Sequence, residues 1–270
     1  MKLIRNLTVL ALSVVGFSAM SADAPAKKWS SYQELSSTYK LGATDGADGS
    51  YSGYLYSTLG YKADANNSIV AETLNPIQYT GGFDVSHAFL RIYLNQKNAF
   101  EVGGWKTALR WRWFVPSEAG THQAGGLGKF GIRPEISREF GSFSLVLRDL
   151  LQAHLVRQQA QKYTVGGAAA KGVDLFTHAF SAIPSVKVTE KFGIDLELIL
   201  SNVYNGKAGA TKANWVNKLN WELYFGYDVK DIAGGALDSV TFSIDHSTTL
   251  ADFKFYTRGA GYNIKLAKEF

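Results

Sequence analysis

The chain ends in the segment Tyr262-Asn263-Ile264-Lys265-Leu266-Ala267-Lys268-Glu269-Phe270. Every second residue of this segment is large and apolar, with Lys268 as the one exception, which is the two-residue period of a β-strand with one apolar face. The apolar positions are Tyr262, Ile264, Leu266 and Phe270. The pattern predicts a strand whose one face meets an apolar environment, in a lipid-embedded sheet or in a secreted β-sandwich.

The same segment resembles the closing strand of Gram-negative outer-membrane β-barrels. In that family the terminal Phe and the apolar positions before it are recognised by the outer-membrane assembly machinery. The resemblance implies that Tyr262, Ile264, Leu266 and Phe270 form this assembly signal. It also implies that the protein lies in the outer membrane, in contact with its lipids. The chain departs from the family pattern at Lys268.

Residues 1–22 have the composition of a secretory signal peptide. Lys2 and Arg5 precede an apolar stretch at residues 7–17, and small residues follow it. The apolar stretch is too short to span a bilayer as a helix. We expect cleavage between residues 21 and 26, which leaves one domain at 28–270. Loss of Lys2 and Arg5 lowers the formal net charge from +5 to +3.

The composition agrees with an exported, strand-rich protein. The chain has 27 Gly, 14 Tyr and 16 Phe but no Cys, so it contains neither a disulfide nor a lipid-modified cysteine. Charged or polar residues interrupt every later apolar run before it reaches the length of a membrane helix. The small positive charge gives no support to a nucleic-acid partner.

Alternating segments bounded by turn residues predict an all-β, transmembrane antiparallel β-barrel with twelve strands, ten or fourteen being the alternatives. The segments are residues 29–42, 50–61, 67–78, 83–95, 103–116, 128–141, 142–157, 173–188, 191–205, 213–229, 237–250 and 252–270. Short connections at 62–67, 140–142 and 189–193 alternate with longer ones at 116–128, 157–172 and 205–213. Barrels alternate periplasmic turns and outer loops in this way.

Two segments test this prediction. In residues 105–115, apolar and polar positions alternate throughout, and Trp105 and Trp113 lie about 25 Å apart along a strand, the spacing of two aromatic girdles. Residues 144–161 instead carry Leu and His at helical spacing. As a strand this segment turns either Arg148 or Asp149 outward unless a β-bulge changes the parity. As a helix it reduces the strand count.

Parity within the predicted strands collects charged side chains on two inward-facing walls. The basic wall comprises Arg91, Lys106, Arg110, Arg112, Lys129, Arg133 and Arg148. The acidic wall comprises Asp195, Glu197, Glu222 and Asp245. Unpaired ions in a dry core cost several kcal/mol each, so either the lumen contains water or the charges pair across it. Facing walls of opposite charge would set a transverse field for polar solutes.

The sequence therefore predicts a porin-like channel for passive diffusion of small polar or anionic solutes, with no catalytic residue, cofactor or metal site. In architecture and inward arginines it resembles the monomeric twelve-stranded channels for acidic oligosaccharides. A side-chain-filled structural or adhesive barrel is the alternative. A lipid hydrolase is a third, although the mature chain has no His-Xaa-Ser or Ser-Xaa-His. The similar sequences around His87 and His178 suggest interfacial histidines or, less simply, a metal pair.

Overall fold

The computed structural model describes residues 28–40, 50–78, 84–85, 89–116, 126–156, 173–206, 214–248 and 260–270. They form β1 (Trp29–Lys40), β2 (Ser50–Lys62), β3 (Asn67–Gln78), β4 (Phe89–Val102), β5 (Trp105–Pro116), β6 (Gly126–Phe140), β7 (Phe143–Val156), β8 (Val173–Lys187), β9 (Phe192–Gly206), β10 (Asn214–Asp228), β11 (Ser239–Thr248) and β12 (Gly261–Glu269). A two-residue strand, Asp84–Val85, pairs with the end of β3 ahead of β4. Within these ranges no helix is long and apolar enough to cross a membrane.

The strands form one antiparallel sheet that closes on itself. Each strand pairs with its neighbours along the chain, and β1 also pairs with β12. At this seam Tyr39 lies opposite Tyr262, and Ser31 and Phe270 exchange backbone hydrogen bonds of 3.2 and 2.8 Å. Within the described residues, closure gives each of the strands β1 to β12 a partner on both sides. The prediction of a twelve-stranded barrel is confirmed, and the alternatives of ten and fourteen strands are wrong.

Contacts between next-nearest strands identify the inner face. Lys265 of β12 reaches Glu222 of β10 at 3.0 Å, and Arg148 of β7 approaches Glu197 of β9 to 3.8 Å. Each pair skips an intervening strand, and side chains converge in this way only on the concave side of a curved sheet. The charged face of each strand is therefore the inner one.

The outer face is rich in large apolar side chains. Trp111, Trp113 and Ile264 are 41%, 43% and 52% exposed, and other aromatic and branched residues on this face are similarly open. An apolar surface that continues around the barrel is far larger than the patches of soluble monomers. The alternation along each strand thus separates a polar interior from an apolar exterior, the reverse of a soluble sandwich.

One end of the barrel carries the described connections, at residues 63–66, 103–104, 141–142, 188–191 and 229–238. Gly103 and Gly104 have φ values of 58° and 78°, a left-handed conformation that glycine adopts without strain. In the first turn Asn67 donates to Asp64 through its side chain and its backbone, which lowers the pKa of Asp64. The longer loops predicted at 116–128, 157–172 and 205–213 lie largely outside the described residues, as does the predicted signal peptide at 1–22.

Some predicted strand bounds were wrong. The fourth strand does not end at residue 95 but continues to Val102, and the Gly103-Gly104 turn replaces a strand start at 103. Its pairing with β5 shifts in register between Lys97 and Glu101. An irregular strand end of this kind has no alternation to reveal it. In the last strand, the described part begins at Gly261, and residues 252–259 lie outside the described ranges.

The seventh strand resolves the ambiguity at 144–161. Its residues form β7, so the helical alternative is wrong for Phe143–Val156. Arg148 lies opposite Glu135 on the inner face, whereas Asp149 lies opposite Phe180 on the outer face. Nε2 of the diagonal neighbour His178 lies at hydrogen-bond distance, 2.8 Å, from Asp149 Oδ1. Pairing with His178 allows the carboxylate to occupy this apolar surface.

Candidate functional site in the barrel lumen

The strand register places the seven residues of the predicted basic wall on the inner face. Arg110 of β5 lies opposite Asn95 of β4 and Arg133 of β6. Arg112 lies opposite Tyr93 and Gly131 in the same rows. Arg91, Lys106, Lys129 and Arg148 share this parity on β4, β5, β6 and β7. Neighbouring strands therefore bring these side chains together, and their part in conduction remains a prediction.

Three arginines form the centre of this group. Arg110 donates from Nε to Asn95 Oδ1 at 2.6 Å, and its guanidinium carbon lies 4.8 Å from the centroid of the Tyr93 ring. Arg112 lies over the same ring at 5.9 Å. Neither forms an ion pair with a described carboxylate, and Arg133 reaches Glu135 only at 3.9 Å. The buried Nε atoms of Arg112 and Arg133 have no described hydrogen-bond partner.

Arg91 has a different environment from these three. Its Nη2 lies 2.6 Å from Oε1 of Glu72, a residue of β3 that is only 4% exposed. Tyr56 donates its hydroxyl to the other oxygen of Glu72 at 2.6 Å. The sequence analysis did not identify Glu72, although it lies on the inward parity of β3. Within the basic wall, Arg91 is thus a neutralised cation.

Replacing Glu72 with alanine is expected to lower the free energy of unfolding by about 2 kcal/mol, because Arg91 and Tyr56 both lose a buried charged partner. Urea unfolding of the refolded barrel measures the change. Glu139→Ala, at an exposed position of β6, is the matched control with an expected change below about 0.5 kcal/mol. Equal losses in the two variants would contradict a structural role for the Glu72 cluster.

The predicted acidic wall also lies on the inner face, but basic partners partly neutralise it. Glu197 approaches Arg148, which also donates to Glu135 at 2.7 Å. Glu222 contacts Lys265, a cation that the sequence analysis did not include. Of the other two carboxylates of the acidic wall, Asp245 accepts a 2.7 Å hydrogen bond from Asn263. Asp195 has no ion pair among the described residues.

Five tyrosines that were not predicted for either wall also lie on the inner face. Tyr32, Tyr54, Tyr56, Tyr93 and Tyr224 share the inner face with the charged residues. Tyr224 donates to Glu222 at 2.6 Å, and the ammonium of Lys265 lies 4.7 Å from the Tyr224 ring centroid. Inward parity within β1, β2, β4 and β10 was the signal available, because the residues of the two predicted walls were chosen by charge.

The outer face carries one polar pair, Asp149 and His178, described above with β7. Asn202 of β9 lies directly opposite His178, and Leu151 lies on its other side. Neither of these two neighbours is a serine, the nucleophile that a lipid hydrolase would pair with a histidine. His87, the other half of the suggested metal pair, lies outside the described residues. Among the described residues no group of three potential metal ligands occurs.

Lys268, the departure from the terminal pattern, has local partners. It shares the outer parity of Tyr262, Ile264, Leu266 and Phe270. Its ammonium donates to the Gly235 carbonyl at 2.6 Å and to Asp238 at 3.1 Å, in the turn between β10 and β11. The charge is thereby held at the end of the barrel, beside the ring of Phe270.

Comparison with known proteins gives a fold but no sequence family. No protein-family model matches the chain, and no curated protein is similar to it in sequence. The KdgM porin matches with a TM-score of 0.51 at 8% identity, over 88% of this chain and 99% of that one. The COG4313 outer membrane channel from Pseudomonas putida F1 matches with a TM-score of 0.58 at 8% identity, over 92% and 100%. At such identities the likeness is one of architecture.

Proposed function

We propose that this protein is an outer-membrane channel for passive diffusion of small polar or anionic solutes. The observation that carries the proposal is the inner-face position of Arg110 and Arg112 without an ion-pair partner among the described residues. A dry interior filled with side chains would leave such cations uncompensated, at several kcal/mol each. A water-filled lumen hydrates them and leaves them available to solutes.

The outer face supports a membrane location. Its exposed aromatic and aliphatic side chains would contact the lipids of the outer membrane, where a closed barrel satisfies every backbone hydrogen bond. We also propose that residues 1–22 direct export and are removed. The terminal residues Tyr262, Ile264, Leu266 and Phe270 would then engage the assembly machinery before insertion.

Selection in such a channel depends on width and field. Arg110, Arg112 and Arg133 present positive charge from β5 and β6, while Asp195 and the partly neutralised Glu197 present negative charge from β9. The resulting field orients polar solutes, and the excess of unpaired guanidinium groups favours anions. No covalent step is required of any residue.

Current across a planar bilayer tests the proposal. Refolded protein under a salt gradient is expected to give discrete current steps with an anion-biased reversal potential. Silence from a barrel that is correctly folded would contradict the channel. Silence would instead favour a structural or adhesive barrel. In that case the inner ion pairs of Glu72, Glu135 and Glu222 would help to fill the interior.

A further inference from the structure

A cavity of about 470 Å³ opens on the inner face beside β1 to β4. It is lined by Tyr32, Glu34, Tyr54, Tyr56, Leu74 and Arg91. Arg91 and Tyr56 belong to the Glu72 cluster already described, whereas Glu34 belongs to neither the basic nor the acidic wall. Its lining combines three tyrosines with a carboxylate.

Glu34 gives this cavity a negative charge. Tyr32 donates its hydroxyl to Glu34 Oε2 at 2.7 Å, and Tyr54 donates to Oε1 at 3.1 Å. These bonds fix the carboxylate without neutralising it. Glu34 forms no ion pair within the described part of the chain, and the nearby Arg91 contacts Glu72 at 2.6 Å. A cation in the cavity would therefore meet one uncompensated carboxylate.

The tyrosines favour one kind of cation. Tyr32 and Tyr56 lie edge to face with ring centroids 6.0 Å apart, and Tyr54 lines the same cavity. Aromatic faces attract ammonium groups, particularly weakly hydrated ones that carry alkyl substituents. A volume of about 470 Å³ is also much larger than a single inorganic ion fills.

We infer that the cavity bounded by Glu34 and the three tyrosines binds an organic ammonium group, carried by an amine or by a zwitterion. The inference rests on the proposed function in one respect, since the lumen must admit solutes. The site complements the arginines of β5 and β6, because it takes the cationic end of a solute whose anionic end they attract.

Titration calorimetry of the detergent-solubilised, folded full-length barrel with tetramethylammonium chloride tests the site at constant ionic strength. Saturable binding is expected, with sodium chloride and a neutral hexose giving none. Glu34→Gln and Tyr54→Leu are each expected to weaken binding about tenfold. Glu139→Gln removes an inner-face carboxylate of β6 away from the cavity and should leave binding unchanged.

Several outcomes would overturn the inference: no saturable binding, equal binding by the hexose, or unchanged binding by both folded site variants. Circular dichroism identifies variants that fail to fold. If Tyr54→Leu misfolds, Tyr54→Phe takes its place; it keeps the ring and should retain binding. Bilayer recordings separate the two proposals. Current without ammonium binding removes the site and leaves the channel, whereas binding without current removes the channel and leaves the site.

Discussion

Replacing Arg110 and Arg112 together with glutamine is expected to move the reversal potential toward the cation-selective value. Both guanidinium groups lie on the inner face without an ion-pair partner among the described residues, so their loss removes uncompensated positive charge. Under a tenfold salt gradient, ideal selectivity for a monovalent ion corresponds to about 59 mV. We expect a shift on the order of 10 mV or more, measured in planar bilayers on the two proteins side by side.

Arg138 of β6 provides the matched control. It lies opposite Leu145 on the outer face, and its guanidinium carbon is 5.0 Å from the ring centroid of Phe140. Arg138→Gln removes one positive charge on the other side of the sheet and should leave the reversal potential unaltered. An unchanged potential in the Arg110/Arg112 double variant, with normal conductance, would remove these arginines from the path of the ions.

Replacing His178 with leucine is expected to destabilise the barrel in a lipid bilayer by about 1–2 kcal/mol. The substitution leaves Asp149 on the outer face without its 2.8 Å partner. An acidic group facing lipid is unfavourable, although less so than a basic one. Denaturant unfolding in lipid vesicles, followed by tryptophan fluorescence and by the electrophoretic shift of the folded barrel, measures the loss.

The reciprocal substitution distinguishes pairing from packing. Asp149→Leu removes the carboxylate from the apolar outer face, so we expect little loss of stability or a small gain. The double variant Asp149→Leu/His178→Leu should recover most of the stability that His178→Leu loses. If the double variant is as unstable as His178→Leu, the imidazole acts through its packing and not through the carboxylate.

Most of the architecture was predictable because successive side chains of a β-strand point to opposite faces of the sheet. Alternation along residues 105–115 assigns Arg110 and Arg112 to one face and Trp111 and Trp113 to the other. The turn residues then bound each strand. Together they predict twelve strands, an even number as in single-chain outer-membrane barrels, while the resemblance of the terminal strand favours a barrel over a sandwich.

Partners across strands were not predictable, because parity fixes the face of a residue but not its neighbour. Arg91 meets Glu72 only because β3 and β4 adopt the register observed. Whether Arg148 or Asp149 faces outward could also be decided only from the register, since either choice places one charged side chain on the apolar face of the strand. The pairing of Asp149 with His178 joins residues of two strands whose connecting loop gives no indication of register.

The seam between β1 and β12 has a consequence for biogenesis. It joins Thr38 to Asn263, residues 225 positions apart, and closing a loop of that length has an entropic cost of about 5 kcal/mol. Until the final strand is available, two sheet edges stay open to pairing with other chains. A chain truncated before β12 cannot close the barrel and should therefore aggregate or be degraded. Only chains that contain the final strand are expected to persist as folded protein.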